Sequence, residues 1–343
     1  MNSKIPNLET LLKDKTVFIL GAGASVDYGF PLWGDLKNQL LAEIEFSKCR
    51  VSYPEKSLQY WKDILNSDAT EKTTIDELAY AAPEEHYHVI MSLIAMILCK
   101  KEQEEYIANI VESKKLGWVE KFSNYLSSLL ISELEESLEA FKNSNFLRNL
   151  QFVTLNYERC FDYRFDGYVR EALIQKSLSK PERRFFEKYV ENSLNLASYG
   201  TVYHPHGCIG SLGADEFIKS KPRISYHCYA NRSNGIQVPY GDWGRLETHL
   251  NQGRRPFLYA VDDLTDSEEE TYRKVNKLVL QQSKNIVLVG LSELGLRKSK
   301  LDGLNSSEDL DKTRNIYSTG NEIDWPGITL TGLKTEQLID QIC

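Results

Sequence analysis

The chain has 343 residues, 41% hydrophobic and 26% charged, with 41 Lys and Arg against 49 Asp and Glu. That length supports a sizeable buried core. The formal net charge of −8 excludes a general electrostatic affinity for nucleic acid or anionic membranes. Six cysteines, Cys49, Cys99, Cys160, Cys208, Cys228 and Cys343, include no C-x-x-C pair. They fit reduced thiols in a cytosol better than a cysteine-built zinc module. The opening MNSKIPNLETLLKDK lacks the apolar core of a signal peptide. The longest apolar run, 89–99, is too short to span a bilayer. The expectation is a cytoplasmic protein with no membrane partner.

In chain order, TVFIL (16–20) is short, apolar and ended by Gly21, the pattern of a buried parallel strand. Helical pattern dominates from about 35 to 150. IDELAYAA (75–82) follows a threonine cap candidate, and Asp76, in its acidic first turn, reads as a helix-capping residue. HVIMSLIAMIL (88–98) is apolar almost all round. GWVEKFSNYLSSLLISELEESLEAF (117–141) places Trp118, Phe122, Tyr125, Leu126, Leu129, Leu134 and Leu138 on one face. QFVTL (151–155) returns to strand, with helical segments after it, including 181–197. GTVYHP (200–205) is strand-like, 208–250 reads as irregular and polar, and RRPFLYAV (254–261) as strand. A capped helix is expected over 267–284, with Ser267 and Glu270 as its capping box. NIVLVG (285–290) and GITLTG (327–332) read as strands, and KTEQLIDQIC (334–343) as a closing helix. Strands alternating with helices imply an α/β protein, a Rossmann-like open parallel sheet. The expected organisation is a single domain over 1–343. It carries a large helical insertion at about 40–148 and a smaller irregular or helical one at about 208–252.

Four strand ends carry residues suited to ligand chemistry. Gly21, Ala22, Gly23, Ala24 and Ser25 follow the first strand. Glycines there allow close backbone approach, and amides at a following helix start suit a diphosphate. Val26 stands where a G-x-G-x-x-G fingerprint needs its third glycine. A tight turn that binds nothing is the rival reading. Asn156 and Glu158 lie just past the second strand; Asn156 also suits a helix cap, and Glu158 a structural hydrogen-bond acceptor. His204 and His206 end the next strand, and extended spacing would put both on one face. Gly290 and Ser292 end another. His86, His88, His227 and His249 read as structural or surface residues. Cys208 has nothing beside His206 to mark it as a nucleophile, and the spacing of His204, His206, His227 and Cys228 matches no standard metal site.

Taken together, GAGAS…GFP, TLNYE, HG and GLS resemble the silent information regulator 2 (sirtuin-like) family, in particular its bacterial antiphage-defence NADase branch. The likeness covers roughly 15–40, 150–210 and 255–330. It implies an NAD⁺-phosphate loop at Gly21 to Ser25. It also implies a segment beside the nicotinamide ribose at Gly29, Phe30 and Pro31, extended here to Trp33. Asn156 and His206 match the catalytic pair, and Gly290 and Ser292 the adenosine-side contacts. Deacetylating members have Asp-Phe-Arg where Leu32, Trp33 and Gly34 stand, and Ile-Asp where Tyr157 and Glu158 stand. They also carry a four-cysteine zinc ribbon, which is missing from this sequence. The resemblance therefore implies NAD⁺ as substrate with no metal, cleavage to nicotinamide and ADP-ribose, and His206 as general base. It implies a toxic effector of abortive infection; because unrestrained NAD⁺ cleavage would drain the cell, control by self-assembly as a homo-oligomer, by a partner or by the helical insertion is expected. Its trigger would be a phage signal or a partner such as an ATPase/helicase or an Argonaute-type protein, with no direct nucleic-acid binding. Protein deacylation, ADP-ribosyl transfer and a non-catalytic nucleotide-binding scaffold are the alternatives.

Overall fold

The computed structural model describes residues 5–46, 51–71, 73–111, 117–177, 202–213, 236–258, 280–299, 301, 304, 314–320, 323, 325 and 327–343. The helix expected over 181–197, residues 267–279 of the helix expected over 267–284, and His227 lie outside them; residues 281–284, expected to close the second helix, are not helical. Nine strands are present among these residues: β1 (Thr16–Leu20), β2 (Leu150–Thr154), β3 (Val202–Tyr203), β4 (Gly207–Gly213), β5 (Ile236–Gln237), β6 (Arg255–Leu258), β7 (Asn285–Val289), β8 (Asn315–Ser318) and β9 (Ile328–Leu330). Six form a parallel sheet in the order β3-β2-β1-β7-β8-β9. Counting only those six, the chain fills one half outward from β1, returns to β1, and fills the other half. That is the strand order of doubly wound dinucleotide-binding sheets, with the switch point between β1 and β7.

Both faces of this sheet are covered, so its central strands read as unbroken apolar runs. All five residues of β1 and of β7 are buried. Phe18, Leu20, Phe152, Val287 and Val289 face one layer, and Val17, Ile19, Val153, Ile286 and Leu288 the other. This is the period of two that a strand imposes.

Between β1 and β2 the chain builds α2 (Trp33–Phe46), α3 (Glu55–Leu65), α4 (Ile75–Tyr80), α5 (Glu84–Val111), α6 (Trp118–Glu136), α7 (Leu138–Lys142) and α8 (Asn145–Asn149), after the short α1 (Leu8–Leu11). These helices divide into two groups. Trp118, Phe122, Leu126 and Leu130 of α6 pack on the sheet with Phe161, Phe165 and Val169 of α9 (Cys160–Ser177) and Ile339 of α12 (Thr335–Ile342). Leu130 takes the inward place expected of Leu129, and Ser137 breaks the expected single helix. The second group, α2 to α5, forms its own core around the apolar stretch of α5. Residues 89–99 of α5 are all buried because α2, α3, α4, α10 (Trp243–Asn251) and β6 surround it.

The stretch expected to be irregular from 208 instead contains β4, the middle of a three-stranded antiparallel sheet β5-β4-β6. Its sequence, GCIGSLG, has a poor strand pattern. Gly210 is required there by packing, since a Cβ would lie 2.1 Å from the Arg159 guanidinium. The expectation of reduced thiols holds for Cys99, Cys160 and Cys343 and fails for Cys208, which is disulfide-bonded. Spacing along the chain does not report which thiols meet in space. Among the described residues no helix is long and apolar enough to cross a membrane.

Arg159 and Arg164 are buried around the start of α9. Arg159 donates to Glu102 through Nε at 3.0 Å and Nη2 at 2.5 Å, and to the Val238 carbonyl at 2.6 Å. Arg164 pairs with Glu105 and Glu120 and lies 4.4 Å over the Tyr28 ring. These pairs tie α5 and α6 to α9 and to the loop after β1.

Candidate active site

A cavity of about 1200 Å³ opens outside the carboxyl ends of β1, β2 and β7, the position that doubly wound sheets reserve for ligands. Its floor is the loop after β1. That loop is two short 3₁₀ turns, Ala22–Ala24 and Val26–Tyr28, rather than the expected start of an α-helix. The Gly23 amide donates to the Gly290 carbonyl at 2.9 Å, and the Gly21 amide to that of Val289 at 2.9 Å. Ala24 and Ser25 amides bond back to Gly21 and Ala22. Four of the five amides expected to cradle a diphosphate are thus committed inside the protein, and the Ala22 amide is the one outside these bonds.

The glycines are explained by packing. A Cβ on Gly21 would sit 2.7 Å from the Gly290 carbonyl oxygen, and one on Gly23 2.9 Å from Gly290 Cα. Gly290 has φ +63°, and a Cβ there would lie 2.1 Å from the Ala24 nitrogen. Two chain segments meet backbone to backbone at the switch point. The Thr319 hydroxyl, just past β8, accepts from the Gly290 amide at 3.0 Å. Gly290→Ala is expected to combine this clash with a left-handed backbone cost of about 1–2 kcal/mol. Gly320→Ala has φ +67° but open space around the new carbon, so it carries only the backbone cost. Calorimetric melting should show Gly290→Ala as clearly the less stable; equal midpoints would refute the packing account.

Asn156 joins the loop to β2. Its Nδ2 donates to the Gly21 carbonyl at 3.1 Å, Ser25 Oγ at 3.2 Å and Glu158 Oε1 at 2.9 Å. Those bonds leave its amide oxygen as the group able to act on a ligand. Glu158 is buried and accepts from the Ser25 hydroxyl and, at 2.6 Å, from the Cys160 amide. Burial raises its carboxyl above the usual range, against the pull of those hydrogen bonds.

His204 and His206 part company. The chain turns after β3, with the Gly207 amide donating to the His204 carbonyl at 3.0 Å and Gly207 at φ +76°. The shared face expected of an extended strand is therefore absent. His204 is held by Asp162 at 3.0 Å, away from the cavity lining. Burial works to lower its pKa, and the Asp162 carboxylate outweighs it, so the net shift is upward. His206 lines the cavity while 4% exposed.

The remaining predicted residues fall as follows. Phe30, Pro31, Trp33, Gly290 and Ser292 line the cavity. Trp33 Nε1 donates to the Thr70 carbonyl at 3.2 Å. Ser292 is also the N-cap of α11 (Glu293–Lys298), accepting from the Gly295 amide at 3.1 Å. Ala24 backs the floor from the core, its carbonyl accepting from Trp118 Nε1 at 2.7 Å. Gly29 takes the left-handed φ +85° that closes the second 3₁₀ turn.

Several lining residues were not foreseen. Asp76 and Glu77 come from α4, Arg297 from α11 and Lys334 from the end of β9's loop. Asp76 accepts from the Tyr157 hydroxyl. It is not the cap of α4, which is a reciprocal capping box of Thr74 and Glu77. Arg297, Lys334 and Glu336 line the β7–β9 side of the switch point, and Asp76, Glu77 and Glu158 the β2 side; Arg297 is paired with Glu293. No group of three or more metal-ligating side chains occurs among the described residues.

The strand order and this crevice define an open α/β protein of the doubly wound class with a cavity at its switch point. No family model and no curated protein matches the chain. Solved structures that align with it include a Sir2 homologue–NAD complex, at 13% identity over 98% of this chain and 90% of that one, with TM-score 0.42. A mutant Sir2 homologue with ADP-ribose aligns at 11% identity over 98% and 94%, with TM-score 0.41. Sir2Tm bound to a propionylated peptide aligns at 11% identity over 97% and 94%, with TM-score 0.37. The chain's own strand order defines its fold.

Proposed function

We propose that the protein hydrolyses NAD⁺ to nicotinamide and ADP-ribose in this cavity. The observation that supports this most is the meeting of Asn156, His206 and the glycine loop at one switch-point crevice. The volume suits a dinucleotide. The bond from ribose to nicotinamide already has a good leaving group. Its cleavage passes through an oxocarbenium-like state, as in glycoside hydrolysis. The protein then has three tasks: to hold the ribose, to exclude bulk water, and to position one attacking water. The Asn156 amide oxygen orients that water or a ribose hydroxyl. His206 accepts its proton.

An unrestrained enzyme of this kind would drain its own cell. The reading therefore includes a cytoplasmic effector of antiphage abortive infection, held as a homo-oligomer and triggered by a phage signal or a partner protein. The test is to incubate the purified chain with NAD⁺, alone and with the product of its genomic neighbour, and to measure nicotinamide and ADP-ribose. Equal release of both is expected. Nicotinamide release only with an acetylated peptide would make it a deacylase. ADP-ribose binding without turnover in any assembly would make it a binding subunit.

A further inference from the structure

The helical layer sends into the cavity a side chain that the hydrolytic scheme leaves unused. Asp76 stands in the first turn of α4, half-buried and lining the cavity. The helix does not need it as a cap, because Thr74 and Glu77 satisfy each other's backbone amides there. Its carboxylate instead accepts from the hydroxyl of Tyr157, the residue after Asn156. Tyr157 is 7% exposed. Its ring stands at 89° to the His206 imidazole with centroids 6.1 Å apart, an edge-to-face pair. Its carbonyl accepts from the Ile209 amide at 3.0 Å, which anchors the backbone beside His206. A phenol pinned at its hydroxyl and packed edge-to-face restricts the rotation of the imidazole it touches.

We propose that Asp76 is a positioning residue, holding the His206 imidazole at its working angle through Tyr157. This rests on reading the cavity as the site of NAD⁺ cleavage. It also means that the site is completed by a helix from the separate α2–α5 core, so displacement of α4 would loosen His206 without touching the glycine loop.

The experiment uses the full chain, in whichever assembly state cleaves NAD⁺, with Asp76→Ala, Tyr157→Phe, the double variant and Asp76→Asn. Misplacing a catalytic group by about an ångström costs up to about a hundredfold. Asp76→Ala and Tyr157→Phe should each lower kcat by about ten- to a hundredfold with KM little changed. The double variant should fall no further than the singles. Asp76→Asn, whose amide oxygen still accepts from the phenol, should recover most of the rate. The His206 ring resonances in proton–nitrogen NMR spectra should shift in Asp76→Ala, while ADP-ribose affinity and the melting midpoint stay near wild type. Unchanged kcat and unchanged His206 resonances would overturn the proposal. So would additive losses that track a falling melting midpoint, which mark a wall of the cavity and nothing more. If the wild type cleaves no NAD⁺, the functional reading fails, and the resonances alone still decide whether Asp76 positions His206.

Discussion

His206→Ala should slow NAD⁺ cleavage by about a hundred- to ten-thousandfold, the usual contribution of a positioned general base. ADP-ribose binding should survive. The floor of the cavity is held by Gly21, Gly23 and Gly290 backbone contacts and by Asn156, none of which passes through His206. The neighbouring histidine offers no substitute, because His204 is turned to Asp162 and lies off the cavity lining. Steady-state kinetics with calorimetric ADP-ribose titration would separate the two effects. Retained turnover would transfer the base role to another group, with Glu158 the first candidate. Its raised carboxyl pKa and its contact with Asn156 equip it for proton transfer.

Glu102→Ala should be the most destabilising single change away from the cavity, at about 3–5 kcal/mol. The Glu102 carboxylate is 0% exposed and the Arg159 side chain 2%. Removing the carboxylate leaves a guanidinium buried with the Val238 and Pro239 carbonyls as its partners. Such a charge cannot shed its proton, since an arginine stays ionised. Against a typical folding stability of about 5–15 kcal/mol, the loss is severe. The check is a double variant: Glu102→Ala with Arg159→Met removes both charges and should regain much of the stability. Chemical denaturation of the four proteins measures this directly. A Glu102→Ala protein as stable as wild type would show that water reaches Arg159.

The two predictions draw on parts of the molecule that differ in how far they could be read in advance. His206 was legible because a histidine before a glycine at a strand end stands out locally. Asn156 and the glycines were legible for the same reason. Asp76 was misread as a helix-capping residue, since an acidic first turn is its ordinary explanation and Tyr157 lies 81 positions away. Arg159, Arg164, Glu102, Glu105 and Glu120 gave no local signal at all. Charged residues on helices look like solvated faces until packing buries them. β8 escaped notice because NIYS is short and half polar, and β4 because GCIGSLG has small residues where a strand pattern needs large ones.

By itself, the sequence determined the α/β class, the buried parallel strands β1, β2 and β7, the threonine-capped helix α4, and the strand ends that line the crevice. These follow from periodicity and turn chemistry, which act over a few residues. Only the tertiary structure decided the strand order, the split of the helices into two cores, the backbone contact of Gly21 and Gly23 with Gly290, and the parting of His204 from His206. Each of those depends on which distant segments pack together, and that is set by long-range burial that local pattern does not encode.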